Sequence, residues 1–234
     1  MMSSRERVLD ALSGVRDPEL DEPITSLRFV SSCTVSHDGD VEVLLRLPTP
    51  QCAPNFAFLM AADAREAVRR LPGVRAVSVQ LEDHYTSEEI NAALDRGEGF
   101  RGAFPGETDD DELDALRELF RRKALLARQG RVCSGLLATG VDRETLVAMT
   151  VAELPDGPET ARCLELRREL GLPHAPAAPA LIAGDGAPLR TETLDTWLRR
   201  ARLVSLSLES NGGICRSLLR VRHGVADPTE EMAR

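Results

Sequence analysis

The sequence predicts an α+β protein, in which an N-terminal α-β-β-α-β domain with a small mixed sheet precedes a mostly helical C-terminal domain with a small β element. Three observations favour this class. Apolar residues recur at helical spacing near the N-terminus and again at residues 56–71, two alternating segments flank an Asp38-Gly39 turn, and helical stripes fill the second half. The helix at 56–71 would cross over the sheet and pack on one of its faces.

A helix and a hairpin open the first domain. Val8 and Leu12 lie at helical spacing, and the prolines of DPELDEP at residues 17–23 end that helix. Residues 27–35 and 41–47 are expected as two strands. They are joined by an Asp-Gly turn, because that dipeptide suits backbone torsions with positive φ.

The rest of the first domain follows a cysteine-containing loop. Asn55 is expected to cap the second helix, and Pro72-Gly73 ends it before an alternating third strand at residues 77–81. The first domain therefore spans residues 1–82.

The second half divides into an appendage and a helical domain. Thr86 with Glu89 matches the capping box of a short helix, and an acidic, glycine-rich linker completes the appendage at residues 83–108. Residues 109–234 form the helical domain, which opens with a long helix. Short strands are expected there at 180–183 and 203–208.

Composition and charge exclude several functional classes. The net charge of −9 argues against nucleic acid as a partner, and no apolar run reaches the roughly 18 residues of a membrane span. The cysteines are odd in number, widely spaced and without a C-x-x-C pair, which favours a reducing cytoplasm over a disulfide framework. They are Cys33, Cys52, Cys133, Cys163 and Cys215.

The segment RLPTPQCAPNF, residues 46–56, holds a thiol in a rigid loop. Cys52 lies between Pro50 and Pro54 and three residues before Asn55. Prolines pre-set such a loop, and free amides of the following helix would favour a thiolate. The alternative is a small apolar residue packed under a turn.

Two carboxylates end the first helix. Asp17 and Glu19 flank Pro18 and would ligate iron or accept hydrogen bonds from amides of the cysteine loop. The alternative is a turn that stops the helix.

Together these segments resemble the iron–sulfur cluster assembly family that includes SufT and the PaaD-type proteins, built on a MIP-like domain. The resemblance covers about residues 5–82. It rests on VLDALSGVRDPELDEPITSLRFV, VEVLLRLPTPQCAPN and LPGVRAVSVQL, in this order and at matching spacing.

The resemblance implies a cofactor-binding set of Asp17, Glu19, Thr49 and Cys52. Cys52 would be the reactive cysteine and, with the acidic pair, a ligand of iron or of an iron–sulfur cluster held transiently. The sequence departs from the family pattern at two places. Arg28 follows Leu27 where a glycine is usual, and Ala53 separates the cysteine from its proline.

One thiolate cannot hold a cluster, because iron–sulfur clusters take about four ligands. A homodimer that joins two cysteine loops, or another residue of this chain, would supply more. His84 in EDHYTSEE is a further candidate metal ligand, since imidazole and carboxylate suit iron. The alternative is a polar strand exit that leads into the capping box.

Cys215 in SNGGICRSLL is expected after a strand and at a helix start, where glycines would let an anion approach the amides. It is a candidate phosphate or thiolate site. Cys33 and Cys163 are expected to pack in the core.

The leading hypothesis is an accessory factor, not an enzyme, for iron–sulfur cluster or iron-centre assembly in a client metalloenzyme or with other assembly proteins. The second half and DHYTSEEIN resemble an actinobacterial two-domain subgroup associated with soluble di-iron monooxygenases, which implies such a client. One alternative is a metal-independent adaptor that binds the client. A weaker one is a thiol enzyme that uses Cys52 or Cys215.

Overall fold

The computed structural model of the protein describes residues 4–106 and 110–224, without the side chains of residues 110 and 111. Three of the predicted domain boundaries, at residues 1, 108–109 and 234, lie outside the described residues. The described chain divides into two compact units. The first contains the residues up to Leu116 and those from Asn211 onward, and the second spans Arg117–Ser210.

The expected α+β class is confirmed. The helices and strands, in chain order, are α1 (Ser4–Ser13), β1 (Val30–Val35), β2 (Asp40–Arg46), α2 (Pro54–Arg69), β3 (Ala76–Glu82), α3 (Ser87–Arg96), α4 (Phe100–Ala103), α5 (Asp110–Ala138), α6 (Arg143–Ala148), α7 (Pro158–Glu169) and α8 (Thr191–His223). A single 3-10 turn at Val151–Glu153 lies between α6 and α7.

The sheet of the first unit has the order β1-β2-β3 and is mixed. β1 pairs antiparallel with β2, and β2 pairs parallel with β3. Val41 and Val43 alternate with exposed residues and are buried, as the period of two requires when one sheet face is covered. α2 contacts β3 and α1, so it covers that face as expected.

The hairpin turn depends on Gly39. Its φ is +87°, and a Cβ at this position would lie 2.4 Å from the backbone oxygen of Gly73. The expected Asp-Gly turn is therefore confirmed, and it is held close to the turn that follows α2. The amide of Arg75 donates to the carbonyl of Gly39 at 2.9 Å.

The segment expected as a linker is partly structured. Within it α4 places Phe100 in the core of the first unit, where its ring meets that of Phe58 edge-on at a centroid separation of 5.4 Å. Burial of a phenylalanine contributes about 2 kcal/mol. This part of the segment is therefore packed rather than extended.

Two strand predictions in the second half need correction. Residues 203–208 are helical and lie inside α8, and the side chain of Leu203 is 69% exposed. The alternation of leucine and serine there does not reflect alternate burial. Residues 180–183 form no strand, and the small β element consists of isolated bridges between Thr150 and Pro179 and between Ile182 and Pro188.

A buried arginine organises the core of the second unit. The Arg167 side chain is 1% exposed, and its guanidinium donates to the carbonyls of Pro179, at 2.9 Å, and Ala180. It also donates to Oε1 of Gln129 at 2.6 Å, which accepts from the amide of Ile182 at 3.1 Å. Burial lowers the pKa of Arg167.

None of the described helices is long and apolar enough to cross a bilayer.

Candidate functional site

The DPE loop that follows α1 is built around the Asp17 carboxylate. Asp17 is only 8% exposed, and its Oδ1 accepts hydrogen bonds from the amides of Glu19 and Leu20, both at 2.9 Å. Burial raises the pKa of Asp17 to about 6, although the two amides oppose the rise and the charges of Glu19 and Glu22 add to it. A carboxyl group of this kind gains or loses a proton near neutral pH.

Glu19 lies half-buried in the same loop. Its Oε1 accepts from Nδ2 of Asn211, near the end of α8, at 3.2 Å. The neighbouring Glu22 forms an ion pair with Arg216 at 2.8 Å. The acidic loop is thus held against the end of α8, which belongs to the same unit.

The cysteine loop places Thr49 beside the thiol. Thr49 Oγ1 lies 3.5 Å from Cys52 Sγ, and the amide of Cys52 lies 3.4 Å from the carbonyl oxygen of Thr49. Cys52 is half-buried, so it is neither sealed in the core nor fully open. The threonine expected from the family pattern therefore contacts the expected cysteine directly.

The start of α2 differs from the expectation. The N-cap is Ala53 rather than Asn55, and Pro54 occupies the first helical position, where the missing amide costs nothing. The amide of Phe56 donates to Oδ1 of Asn55 and to the carbonyl of Ala53, which also accepts from Ala57. The amides of Phe56 and Ala57 are therefore already bonded within the start of the helix and are not free to face the thiol.

His84 braces the cysteine loop from the end of β3. It is 6% exposed, its Nε2 lies 2.7 Å from the carbonyl oxygen of Cys52, and its Nδ1 lies 3.0 Å from Thr86 Oγ1. Because a carbonyl only accepts, Nε2 is the donor. The amide of Thr86 points at Nδ1 from 3.3 Å, so Nδ1 accepts. Both nitrogens are thus engaged, and His84 would have to break a bond to ligate metal.

Thr86 is the N-cap of α3, as predicted, but the capping box is not formed, because the Thr86 hydroxyl faces His84 and makes no cap hydrogen bond. The acidic residues before His84 are paired with arginines as well. Glu82 pairs with Arg46 at 2.8 Å, and Asp83 pairs with Arg222 at 2.7 Å.

Cys215 lies inside α8 rather than at a helix start, so the expected anion site at free amides is not formed there. Burial raises the pKa of Cys215 to about 12, and the negative charges of Asp17, Cys52 and Glu19 add to the rise while Arg216 opposes it. The thiol therefore lies within electrostatic reach of all three. Cys33 and Cys163 are buried, as expected.

The contacts of α8 with the two loops include those of Asn211 with Glu19 and of Arg222 with the carbonyl of Pro48. Among the residues that the structure describes, no group of three or more histidine, cysteine or acidic side chains is arranged to hold a metal ion. The sequence pattern contained no signal for the role of α8, because only the tertiary structure brings its end to the DPE loop.

Arg28 occupies the position at which the family pattern usually has a glycine. Its φ is +59°, in the left-handed region that glycine occupies without strain. Residue 28 therefore has a backbone conformation that a glycine would adopt with less strain.

These features define a class: a small α+β domain with one cysteine in a proline-bounded loop and an acidic loop nearby. Residues 5–81 match the sequence model of a family described as iron-sulfur cluster assembly protein. An uncharacterized protein of Methanocaldococcus jannaschii is 36% identical over 93 residues, which are 40% of this chain and 96% of that protein. The chain therefore belongs to the iron–sulfur cluster assembly protein family, through its N-terminal part.

A second relative is the iron-sulfur cluster carrier protein of Deinococcus radiodurans. It is 36% identical over 77 residues, which are 32% of this chain and 21% of that protein. This chain therefore spans about a fifth of the length of that relative.

Proposed function

We propose that this protein is an accessory factor in the assembly of iron–sulfur clusters or iron centres, rather than a catalyst. Its cargo is iron or a cluster, held transiently at the Cys52 loop and passed to a client metalloenzyme or to another assembly protein. The observation that carries the proposal is that the family match at residues 5–81 contains both the Cys52 loop and the DPE loop.

In this proposal Cys52 supplies the thiolate that binds the cargo, and Thr49 orients the sulfur through their 3.5 Å contact. Asp17 and Glu19 supply oxygen ligands or hold the loop that faces the cargo. His84 acts as a positioning residue through the carbonyl of Cys52. One thiolate and a few carboxylates hold a cluster weakly, which suits a factor that must release it.

The second unit and the outer face of α8 are proposed to dock the client. Leu203 and Leu206 are 69% and 49% exposed in the second unit. They are three residues apart on α8 and therefore neighbours on one helix face, and contiguous exposed apolar surface of this kind marks protein interaction sites. We propose a soluble di-iron monooxygenase as the client and the cytoplasm as the compartment, following the resemblance of the second half.

Anaerobic reconstitution with iron and sulfide tests the proposal. The full-length chain is expected to gain visible absorbance that persists through desalting, and Cys52→Ala is expected to lose it. Cys33→Ala is the matched control, because Cys33 is buried in β1 of the same unit. Equal absorbance in Cys52→Ala and wild type would refute the proposal.

The same variants separate the other hypotheses. Client capture that survives Cys52→Ala, with no cluster on either chain, would indicate the metal-independent adaptor. Selective alkylation of one thiol together with loss of substrate turnover would indicate a thiol enzyme.

A further inference from the structure

The end of α8 lies along the candidate site through one face of the helix. Asn211, Cys215 and Arg222 are spaced four and seven residues apart, which places them on the same side of a helix with 3.6 residues per turn. Asn211 donates to Glu19 of the DPE loop at 3.2 Å. Arg222 donates to the carbonyl of Pro48, which precedes the cysteine loop, at 2.9 Å. Cys215 is therefore directed at the space between the two loops.

Other contacts hold this segment in place. Leu219 is 1% exposed and belongs to the core of the first unit, and Arg216 pairs with Glu22 at 2.8 Å. A Cβ at Gly212 would lie 3.0 Å from Oε1 of Glu22, so glycine allows the helix to approach the loop closely. A helix fixed at several points offers a defined position for the thiol that it carries.

The two thiols lie in the same unit and have similar exposure. Cys52 and Cys215 are both half-buried and both pack against the core cluster of the first unit. The charge of Cys52 acts on the Cys215 thiol, as do those of Asp17 and Glu19. Cys215 thus lies within electrostatic reach of both loops, on the α8 face that contacts the DPE loop at Glu19 and the chain before Cys52 at Pro48.

We propose that Cys215 is the second thiol of the cargo site and forms with Cys52 an intrachain pair that chelates a thiophilic metal ion or one edge of an iron–sulfur cluster. The inference rests on the proposed function and extends it, because Cys215 lies outside the family match at residues 5–81. Two thiolates from one chain leave about two cluster ligands for the recipient to supply. The second thiolate binds with the high effective concentration of an intramolecular ligand.

Phenylarsine oxide tests the pair without any iron. Each molecule exchanges its arsenic–oxygen bonding for two arsenic–sulfur bonds, and the oxygen leaves as water with the two thiol protons, without a change of oxidation state. The reduced full-length chain is expected to gain one arsenical by intact-mass spectrometry and to lose two titratable thiols.

Single variants identify the two sulfurs. Cys52→Ala and Cys215→Ala are each expected to lose the adduct, whereas Cys33→Ala retains it. Cys215→Ser repeats the test with a side chain of nearly equal size, and an unchanged circular dichroism spectrum shows that the helix is intact. An adduct that persists in both Cys215 variants, or its absence from wild type, overturns the inference. An arsenical that joins two chains also overturns it, because the second thiol then belongs to a homodimer.

The result is separable from that of the proposed function. If the chain binds the arsenical through both thiols but takes up no cluster on reconstitution, the thiol pair is supported and the cargo role is refuted. If wild type and Cys215→Ala take up equal amounts of cluster, the cargo role is supported and the thiol pair is refuted.

Discussion

Asp17→Asn tests the electrostatics of the candidate site. The Asp17 carboxyl group is buried, and it accepts two backbone amide hydrogen bonds through one oxygen. An asparagine carbonyl can accept the same two bonds but carries no charge. The variant therefore removes the cost of a buried negative charge and keeps the loop geometry.

The direction and size of the effect follow from the pKa, which burial raises from 3.8 to about 6. Between these values the folded protein holds the proton that the unfolded chain has lost, so the free energy of unfolding falls as pH rises. A difference of about two pH units corresponds to about 3 kcal/mol. Asp17→Asn should match wild type near pH 4 and exceed its stability by about 3 kcal/mol above pH 7.

Urea unfolding of both chains between pH 4 and 8 measures this difference. Far-UV circular dichroism follows the whole chain, and the fluorescence of Trp197, the single tryptophan, reports separately on the second unit. The second unit's transition should not move. Parallel pH profiles for wild type and Asp17→Asn would refute the assignment of a costly buried charge to this carboxyl group. Glu19→Gln, in the half-exposed part of the same loop, is the control.

Four further variants test other parts of the account. Arg28→Gly should raise the free energy of unfolding by about 1 kcal/mol in urea, because it relieves a positive φ; a loss of stability would contradict this. Gly39→Ala should lower it by about 2–3 kcal/mol through its clash with the backbone near β3, and an unchanged midpoint would exclude the close turn. Arg167→Met should lower the free energy of unfolding, followed by Trp197 fluorescence, by about 3 kcal/mol, because several acceptors lose their donor. Arg168→Met, at an exposed position, should leave that free energy unchanged. His84→Ala should speed alkylation of Cys52 by iodoacetamide several-fold relative to His37→Ala, and equal rates would show that the imidazole does not brace the loop.

The order of elements in the first unit could be predicted because its patterns are local. The Asp38-Gly39 turn, the prolines after α1 and Pro72-Gly73 after α2 each specify a chain reversal through their own torsions. The first strand was predicted from residue 27, but it begins at Val30. Arg28 turns the chain with a positive φ just before it, and an arginine does not by itself indicate such a torsion.

The strand predicted at 203–208 failed for a different reason. Leu206 and Leu208 alternate with serines and fit the period of a strand. A helix can carry the same short alternation when some of its leucines face solvent, and Leu206 is 49% exposed. The helix start expected near Cys215 is likewise absent, because the residue lies within α8. In the structure Gly212 lies within α8, where the lack of a side chain lets the helix pack closely against Glu22.

The binding set of Asp17, Glu19, Thr49 and Cys52 was predicted from the family resemblance and stays a prediction. The structure shows a contact between two of its members, Thr49 and Cys52. The position of Cys215 could not be predicted, because it depends on a long-range contact between α8 and the DPE loop. Such contacts leave no periodic signature in the sequence.

Mössbauer spectroscopy of the full-length chain, after anaerobic loading with ⁵⁷Fe and sulfide and removal of free iron, shows whether Cys52 ligates the cargo iron. Wild type and Cys33→Ala are expected to give the signal of sulfur-ligated tetrahedral iron, and Cys52→Ala is expected to lose it. A spectrum of equal shape and intensity in Cys52→Ala would contradict the claim that Cys52 carries the cargo.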